Sequence, residues 1–426
     1  MNQPEKESSR QRPWTGVFAI ISVFLVLFIG GIVAWLHSSS GRGDHWERAV
    51  SAALRQFGTD QDAMIPILGA LQQTDWKGLE RYRESFRGSA LPGWSPTTRE
   101  AAFIRAQQPV ISLIGRSASL PVSTFPNLTG LGPERPLPRS ERILALQSLL
   151  MANVQYLVSQ GYGNEALARL LEMGTLGTRF ARPESEASWQ AHGIAITTLD
   201  FTAGLAGRLA ASHEVHGLGA QELQRLELQL AALEAQYLPL LQAARSELVH
   251  YQSVLEANLG SRNSLAVALQ FYDPDLTRPA ALEEADRLYG WASSFPAAMR
   301  LVADKVLSEL SRPPYERQLL IGEAPVQWSD NPLAARSVEP LGALAQREAI
   351  MLARLRLARA AARLALNPAA TINDLVDPFS GEPLQLQGQL LYSVGPDRFD
   401  NDGREPSGTG PWADSDIVLR VTGLSK

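Results

Sequence analysis

The chain contains no cysteine in 426 residues, which excludes disulfide frameworks, thiolate metal sites and cysteine nucleophiles. Histidine is scarce as well, at six residues. His213 and His216 stand at H-x-x-H spacing, one residue short of the i, i+4 step that places two ligands on one helix face. That pair reads as a zinc half-site or, more simply, as a polar cap where a helix ends before Gly217. His192 and His250 fall inside amphipathic stretches and read as surface or boundary residues. No G-x-S-x-G, Walker A or G-x-G-x-x-G element follows a strand pattern. Basic excess is lacking too: a formal net charge of -5 gives no electrostatic footing for nucleic acid. Acidic pairs such as Glu283–Glu284 and Glu184/Glu186 lie on helices rich in exposed charge and read as solvated faces. The chain is therefore read as a non-enzyme, with a hydrolase assembled from scattered residues as the outlying alternative.

One long apolar run is present. From Gly16 to Leu36 there is no charge, which at ~1.5 Å per helical residue is enough to cross a ~30 Å hydrocarbon layer. Trp14 and Trp35 flank it, where indole rings prefer the headgroup level. The run is longer than a cleavable signal core, and the serines at 38–40 offer no small-residue cleavage site. It reads as an uncleaved signal anchor over 15–37, with residues 1–14 as a cytoplasmic tail. Lys6, Arg10 and Arg12 before the span, against Arg42 and Arg48 after it, favour the large domain outside.

Helical periodicity then runs over 38–366. Trp46, Val50, Ala53 and Leu54 make one stripe, and further helices are expected at Asp60–Gln72, at Trp76–Phe86 and from Pro96 onward, with the proline in the first turn. A proline- and glycine-rich excursion occupies 119–139. Beyond it, Ser140 opens a helix that ends near Gly161, Asn164 is expected to cap Glu165–Met173, and Glu184–His213 follows. Leu223, Leu226, Leu230 and Leu233 recur at three- and four-residue steps, as a packing seam requires, and Pro239 should kink or split that helix. Pro279–Leu310 reads as one helix. Val338–Leu366 reads as the last, with Leu341, Leu344, Ile350, Leu352, Leu355 and Leu357 inward. Arg347, Arg354, Arg356, Arg359 and Arg363 are placed on its rim, their stems over apolar surface. No 34-residue repeat is found.

The tail, 367–426, has a different grammar. Asp377-Pro-Phe-Ser-Gly381 is a turn sequence: Asp accepts backbone donors, Pro presets φ, and Gly allows φ > 0. Leu384–Leu386 and Leu390–Val394 alternate as two short antiparallel strands around Gly388. After Gly395-Pro396 comes an acidic loop with Asp397, Asp400, Asn401, Asp402 and Gly403, and later Asp414 and Asp416. Clustered carboxylates with a turn glycine suit a hard cation, which needs about six to eight oxygens, and suit equally a solvated Asp/Gly turn. It is not an EF-hand: with Gly403 at loop position six, Arg398 and Thr409 fall where ligands belong.

Three pieces of this tail, Asp377-Pro-Phe-Ser-Gly-Glu-Pro-Leu384, Leu391-Tyr-Ser-Val-Gly-Pro-Asp397 and Asp414-Ser-Asp-Ile-Val418, resemble the C-terminal region of type II secretion major pseudopilins. In that family the "DPWG", "YSLGADG" and "DADI" segments form a small sheet whose loop holds calcium. The resemblance implies Ca²⁺ ligation by Asp397, Asp414 and Asp416, with Asp400 and Asp402 in the same loop. Pro396 and Arg398 depart from the family pattern, and no Gly-Phe-Thr-Leu-Ile-Glu processing site precedes the apolar run. The resemblance covers about an eighth of the chain; the overall arrangement looks similar to uncharacterised signal-anchored bacterial membrane proteins. The expected architecture is thus mainly α, comprising an N-terminal transmembrane helix, an irregular multi-helix extracytoplasmic domain and a small C-terminal antiparallel β element. The expected role is binding or scaffolding at the inner membrane, with a protein partner in the envelope, beside secretion or pilus-like machinery. A stand-alone envelope structural protein is the alternative.

Overall fold

Leucine and alanine at helical spacing shape most of the chain. The computed structural model describes residues 64–89, 94–120, 140–181, 189–212, 218–237, 239–273, 276–317, 328–403 and 416–421. The anchor at 15–37 and the stripe at 45–57 lie outside them. Among the described residues no helix is long and apolar enough to cross a membrane.

Among the described residues the first four helices are α1 (Met64–Gln73), α2 (Trp76–Gly88), α3 (Thr98–Ala106) and α4 (Gln108–Ser119). Thr97 and Glu100 form a reciprocal capping box on α3, so Pro96 stands ahead of the cap and not in the first turn. Next come α5 (Ser140–Ser159) and α6 (Gly163–Phe180), separated by Gly161 at φ +80°. The cap expected at Asn164 is not used: α6 begins one residue earlier and continues past Met173 to Phe180. It continues because Leu176 and Phe180 keep the buried stripe going, while Gly177 faces Thr198 and Leu199 closely enough to leave no room for a larger residue. Two further helices, α7 (Trp189–Ala211) and α8 (Ala220–Gln236), complete this part, and all four seam leucines of α8 are buried.

Pro239 splits the chain, and α9 (Leu240–Asn258) starts directly after it. The stretch read as one helix from Pro279 is three pieces: α11 (Arg278–Leu288) after α10 (Arg262–Tyr272), a 3-10 segment at Tyr289–Ser294, and α12 (Phe295–Leu310). Gly290 weakens the run, and Pro296 has no N–H to donate back to the preceding turn. A 3-10 turn at Pro314–Glu316 and a short α13 (Pro332–Arg336) lead to α14 (Glu339–Leu366).

That last helix organises the interior. Its first half (Leu341, Ala345, Ala349, Ile350, Ala353) belongs to a core built with α9–α13. Its second half (Leu355, Leu357, Ala358, Ala361, Leu364) belongs to a core built with α1–α8. Alanine has the best helix propensity and the smallest apolar side chain, so α14 is both stable and closely approached. At Gly207 of α7, an added Cβ would lie 3.6 Å from the Cα of Ala358. The rim arginines are not a free basic stripe. Arg354 pairs with Asp200 (2.6 Å), Arg356 and Arg359 with Glu234 (2.8 and 2.7 Å), and Arg363 with Glu227 and Asp374 (3.0 and 2.6 Å). These pairs lace α14 to α7, to α8 and to the tail.

The tail forms a three-stranded antiparallel sheet in the order β1 (Gln385–Gln387), β2 (Leu390–Ser393), β3 (Ile417–Arg420). Gly388 at φ +63° makes the β1–β2 turn. Leu391 sits opposite Leu419 and Tyr392 opposite Val418. A mainly helical chain with a small antiparallel sheet is therefore what the sequence pattern anticipated.

Candidate functional site

Asp377 is the latch of the tail. Its carboxylate is 1% exposed and accepts three hydrogen bonds. Oδ1 takes the Phe379 N–H (3.0 Å) and the Ser393 hydroxyl (2.8 Å), and Oδ2 takes the Val394 N–H (2.9 Å). The turn sequence thus clips itself onto the end of β2.

Four of the five candidate calcium ligands lie in the following loop; Asp414 lies outside the described residues. Asp416 is buried and accepts from the Asn401 and Gly403 amides (3.3 and 2.7 Å). Asp397 accepts from the Phe399 amide and the Asn401 side chain (3.2 and 3.0 Å), and Asp400 from the Asp402 amide (2.9 Å). Asp402 itself takes φ +58°. Burial raises the Asp416 pKa, the two amides oppose that, and the nearby charges of Asp400 and Asp397 add to it. A cation would relieve that repulsion. Among the described residues, however, no three acidic or histidine side chains converge as a metal-ligand group. Asp397, Asp400 and Asp416 spend carboxylate oxygens on amide donors of this loop.

A second constellation was not visible in the sequence. His192 is 1% exposed, not a surface or boundary residue, and His250 is buried too. His192 Nε2 lies 2.7 Å from the Tyr237 hydroxyl, which donates to Glu348 Oε1 (3.0 Å). Since the one phenolic proton goes to Glu348, Nε2 must carry the imidazole hydrogen, leaving Nδ1 bare; Nδ1 has no partner among the described residues. Glu348 also accepts the Leu240 N–H (2.8 Å) and forms a buried ion pair with Arg317. One carboxylate on α14 therefore ties α7, the α8–α9 break and the segment after α12.

Burial lowers the His192 pKa to about 4, against the opposing pull of Glu348. Between that value and the ordinary 6.5 the unfolded chain binds a proton that the folded chain refuses, so stability rises with pH across this window. It is complete above 6.5 and lost as pH falls toward 4, by roughly 3 kcal/mol at ~1.4 kcal/mol per pH unit. His192→Gln keeps a donor for Tyr237 but cannot titrate. Urea unfolding at pH 7 and pH 4.5 should show a smaller acid loss in that variant; an equal loss would place the acid sensitivity elsewhere.

A groove of about 800 Å³ lies between α5, α7, α14 and β3. This volume is within the ~300–1,000 Å³ range of ligand sites. Apolar walls come from Trp94, Val158, Phe201 and Leu357, and one flank is the whole of β3. Four small residues of α7, Ala203, Gly204, Gly207 and Ala211, stand among its larger lining residues. Three arginines (Arg208, Arg354, Arg420) face a single carboxylate, Asp200. Asp200 is held by Arg354 through Oδ2, while Oδ1 has no partner among the described residues. Burial raises the pKa of Asp200, with Arg354 opposing it. Arg208 forms no ion pair among the described residues, and burial together with the charge of Arg354 lowers its pKa to about 10. Ser159 and Ser212 point their hydroxyls at carbonyls of their own helices (2.7 Å each), so neither is set up as a nucleophile.

Comparison of the chain with protein-family models, curated proteins and solved structures gives no match in any of the three.

Proposed function

We propose that the chain is a membrane-anchored extracytoplasmic binding or scaffold protein at a bacterial inner membrane, with its large domain in the periplasm, working beside type II secretion or pilus-like machinery. The observation that carries this reading is the pairing of the second and third pseudopilin-like segments as β2 and β3, with Asp377 of the first clipped onto Ser393 and Val394 of the second. Binding is favoured over catalysis because the groove offers apolar walls and fixed charge without an activated nucleophile. Nucleic acid is disfavoured by the acidic net charge and by the pairing of the α14 arginines with acids of this same chain.

Calcium belongs to the same proposal. Asp397, Asp400, Asp402, Asp414 and Asp416 would hold it, supplying oxygens that a hard cation prefers and offsetting the crowding of negative charge around Asp416. Thermal melts of the full chain in detergent, with calcium and then with chelator, test it. An ion bound only by the folded form adds ~2.7 kcal/mol of stability at a hundred times its Kd, so the melting temperature should rise with calcium. The rise should vanish in Asp397→Ala and Asp414→Ala. No shift at any calcium concentration would remove the ion and leave the secretion link without its chemistry.

A further inference from the structure

We propose that the groove beside β3 takes an extended acidic peptide as a fourth strand, with Arg208 receiving its carboxylate. This rests on reading the chain as a binding protein and adds to it the site and the chemistry of the partner.

Side chains alternate between the two faces of a strand, so a cavity over one face meets every second residue. Here Ile417, Val418, Leu419 and Arg420 all line the groove, which therefore runs along the strand's edge. The register identifies the free groups. Val421 N–H donates to the Gln389 carbonyl (2.9 Å), so that pair is hydrogen-bonded, and the alternation of antiparallel pairs makes Leu419 and Ile417 bond toward β2 as well. The N–H and C=O groups of Val418 and Arg420 then point away from β2, into the groove. Among the described residues no strand pairs with that edge. A row of unpaired backbone groups in a walled cleft is what strand addition uses: main-chain bonds supply affinity and neighbouring pockets supply selectivity.

Gly204, on the wall facing the groove, has open space where a Cβ would stand, with no heavy atom within 4 Å. Ala203 and Ala211, which also line the groove, add little bulk to that part of the wall.

Three arginines against one aspartate give the lining a positive excess, and Arg354 is already engaged by Asp200. Arg208 is half-buried on the same face of α7 with no acid opposite it among the described residues. A carboxylate side chain on the incoming strand supplies the missing charge. A free phosphate or a lipid headgroup would satisfy Arg208 but would leave the edge groups of Val418 and Arg420 unused, so the peptide is the better match.

The test uses the full chain in detergent and fluorescent short peptides of alternating valine and threonine, carrying one glutamate at each position in turn. Their glutamine versions and inorganic phosphate are the comparison probes. At least one glutamate peptide should bind, about tenfold or more tighter than its glutamine version, as an ionic hydrogen bond predicts. Arg208→Lys should keep that preference and Arg208→Gln should abolish it. Gly204→Trp should block binding, and Gly204→Ala, whose Cβ meets no heavy atom within 4 Å, should leave the melting temperature unlowered. Amide exchange at Val418 and Arg420 should slow on peptide addition. Equal binding of glutamate and glutamine peptides, unchanged exchange at the two edge amides, or no binding by any peptide would each overturn the proposal. Phosphate that displaces the peptide fully while leaving the edge amides unprotected would reassign the groove to small anions. The calcium melts are independent of all these outcomes, so failure here leaves the reading of the tail to stand or fall separately.

Discussion

Glu348→Ala should lower the unfolding free energy by roughly 3–5 kcal/mol, the cost of leaving one member of a buried ion pair without its partner. Arg317 would keep its charge at 5% side-chain exposure with no carboxylate opposite it. The Tyr237 hydroxyl and the Leu240 amide would lose their common acceptor as well. Glu348→Gln retains an acceptor but not the charge and should fall between alanine and wild type. The triple change Glu348→Leu, Arg317→Met, Tyr237→Phe separates the penalty of an orphan from the net worth of the network. Buried ionic groups exchanged together for apolar ones of similar volume are often neutral or stabilising by about 1–4 kcal/mol. Urea unfolding of the four proteins is the measurement. An alanine variant within about 1 kcal/mol of wild type would mean that water reaches Arg317 and that the link between the two cores is weak.

Asp377→Ala should be nearly as costly but local. Two backbone amides and one hydroxyl would be left buried and unpaired, each worth about 1–3 kcal/mol, with a combined loss near 3 kcal/mol because the sheet can relax. Asp377→Asn is the sharper probe. One of its two oxygens becomes an NH₂ group, which would face either the Val394 amide or the pair formed by Phe379 and Ser393. Both ends present donors to Asp377, so the amide has no good orientation, and asparagine should behave more like alanine than like aspartate. Hydrogen exchange at Phe379 and Val394 should accelerate strongly in both variants, while amides of α14 keep their protection. A silent asparagine variant would show that one oxygen is enough to hold the turn.

The helices were legible because burial on one face writes a period into the sequence. Leu223, Leu226, Leu230 and Leu233 announce α8 in this way, and all four are buried. Asp377 and Gly381 were legible as a turn because each has a local backbone task, and Gly381 does take φ +79°. The His192–Tyr237–Glu348–Arg317 network was not legible. Its members lie 45, 111 and 31 residues apart along the three side-chain links that join them, and a buried polar residue carries no period of its own. The signal that was available is weak: His192 is followed closely by the apolar Ile194, Ala195 and Ile196, an odd setting for a solvated imidazole. The α14 arginines were placed correctly at the helix margin, but their partners, Asp200, Glu227 and Glu234, come from helices that only the tertiary fold brings alongside. The groove is a property of four elements and of one strand's unpaired edge, so no single stretch encodes it. At Asn164 a favourable capping residue gave way to packing, since α6 starts where its buried stripe requires.

The division of α14 between two cores also sets an order of events during synthesis. The core built from α1–α8 includes residues of α14, Met351 to Leu364, that follow the end of α8 by 115 to 128 positions. At ~5–20 residues per second, α1–α8 wait on the order of 10 s with their alanine-matched seam uncovered. Native contacts this distant in sequence slow folding, because the loop must close before the contact can form. A nascent chain cut short before Glu339 should therefore be a ready client for holdase chaperones, and one extended through Leu366 should be released.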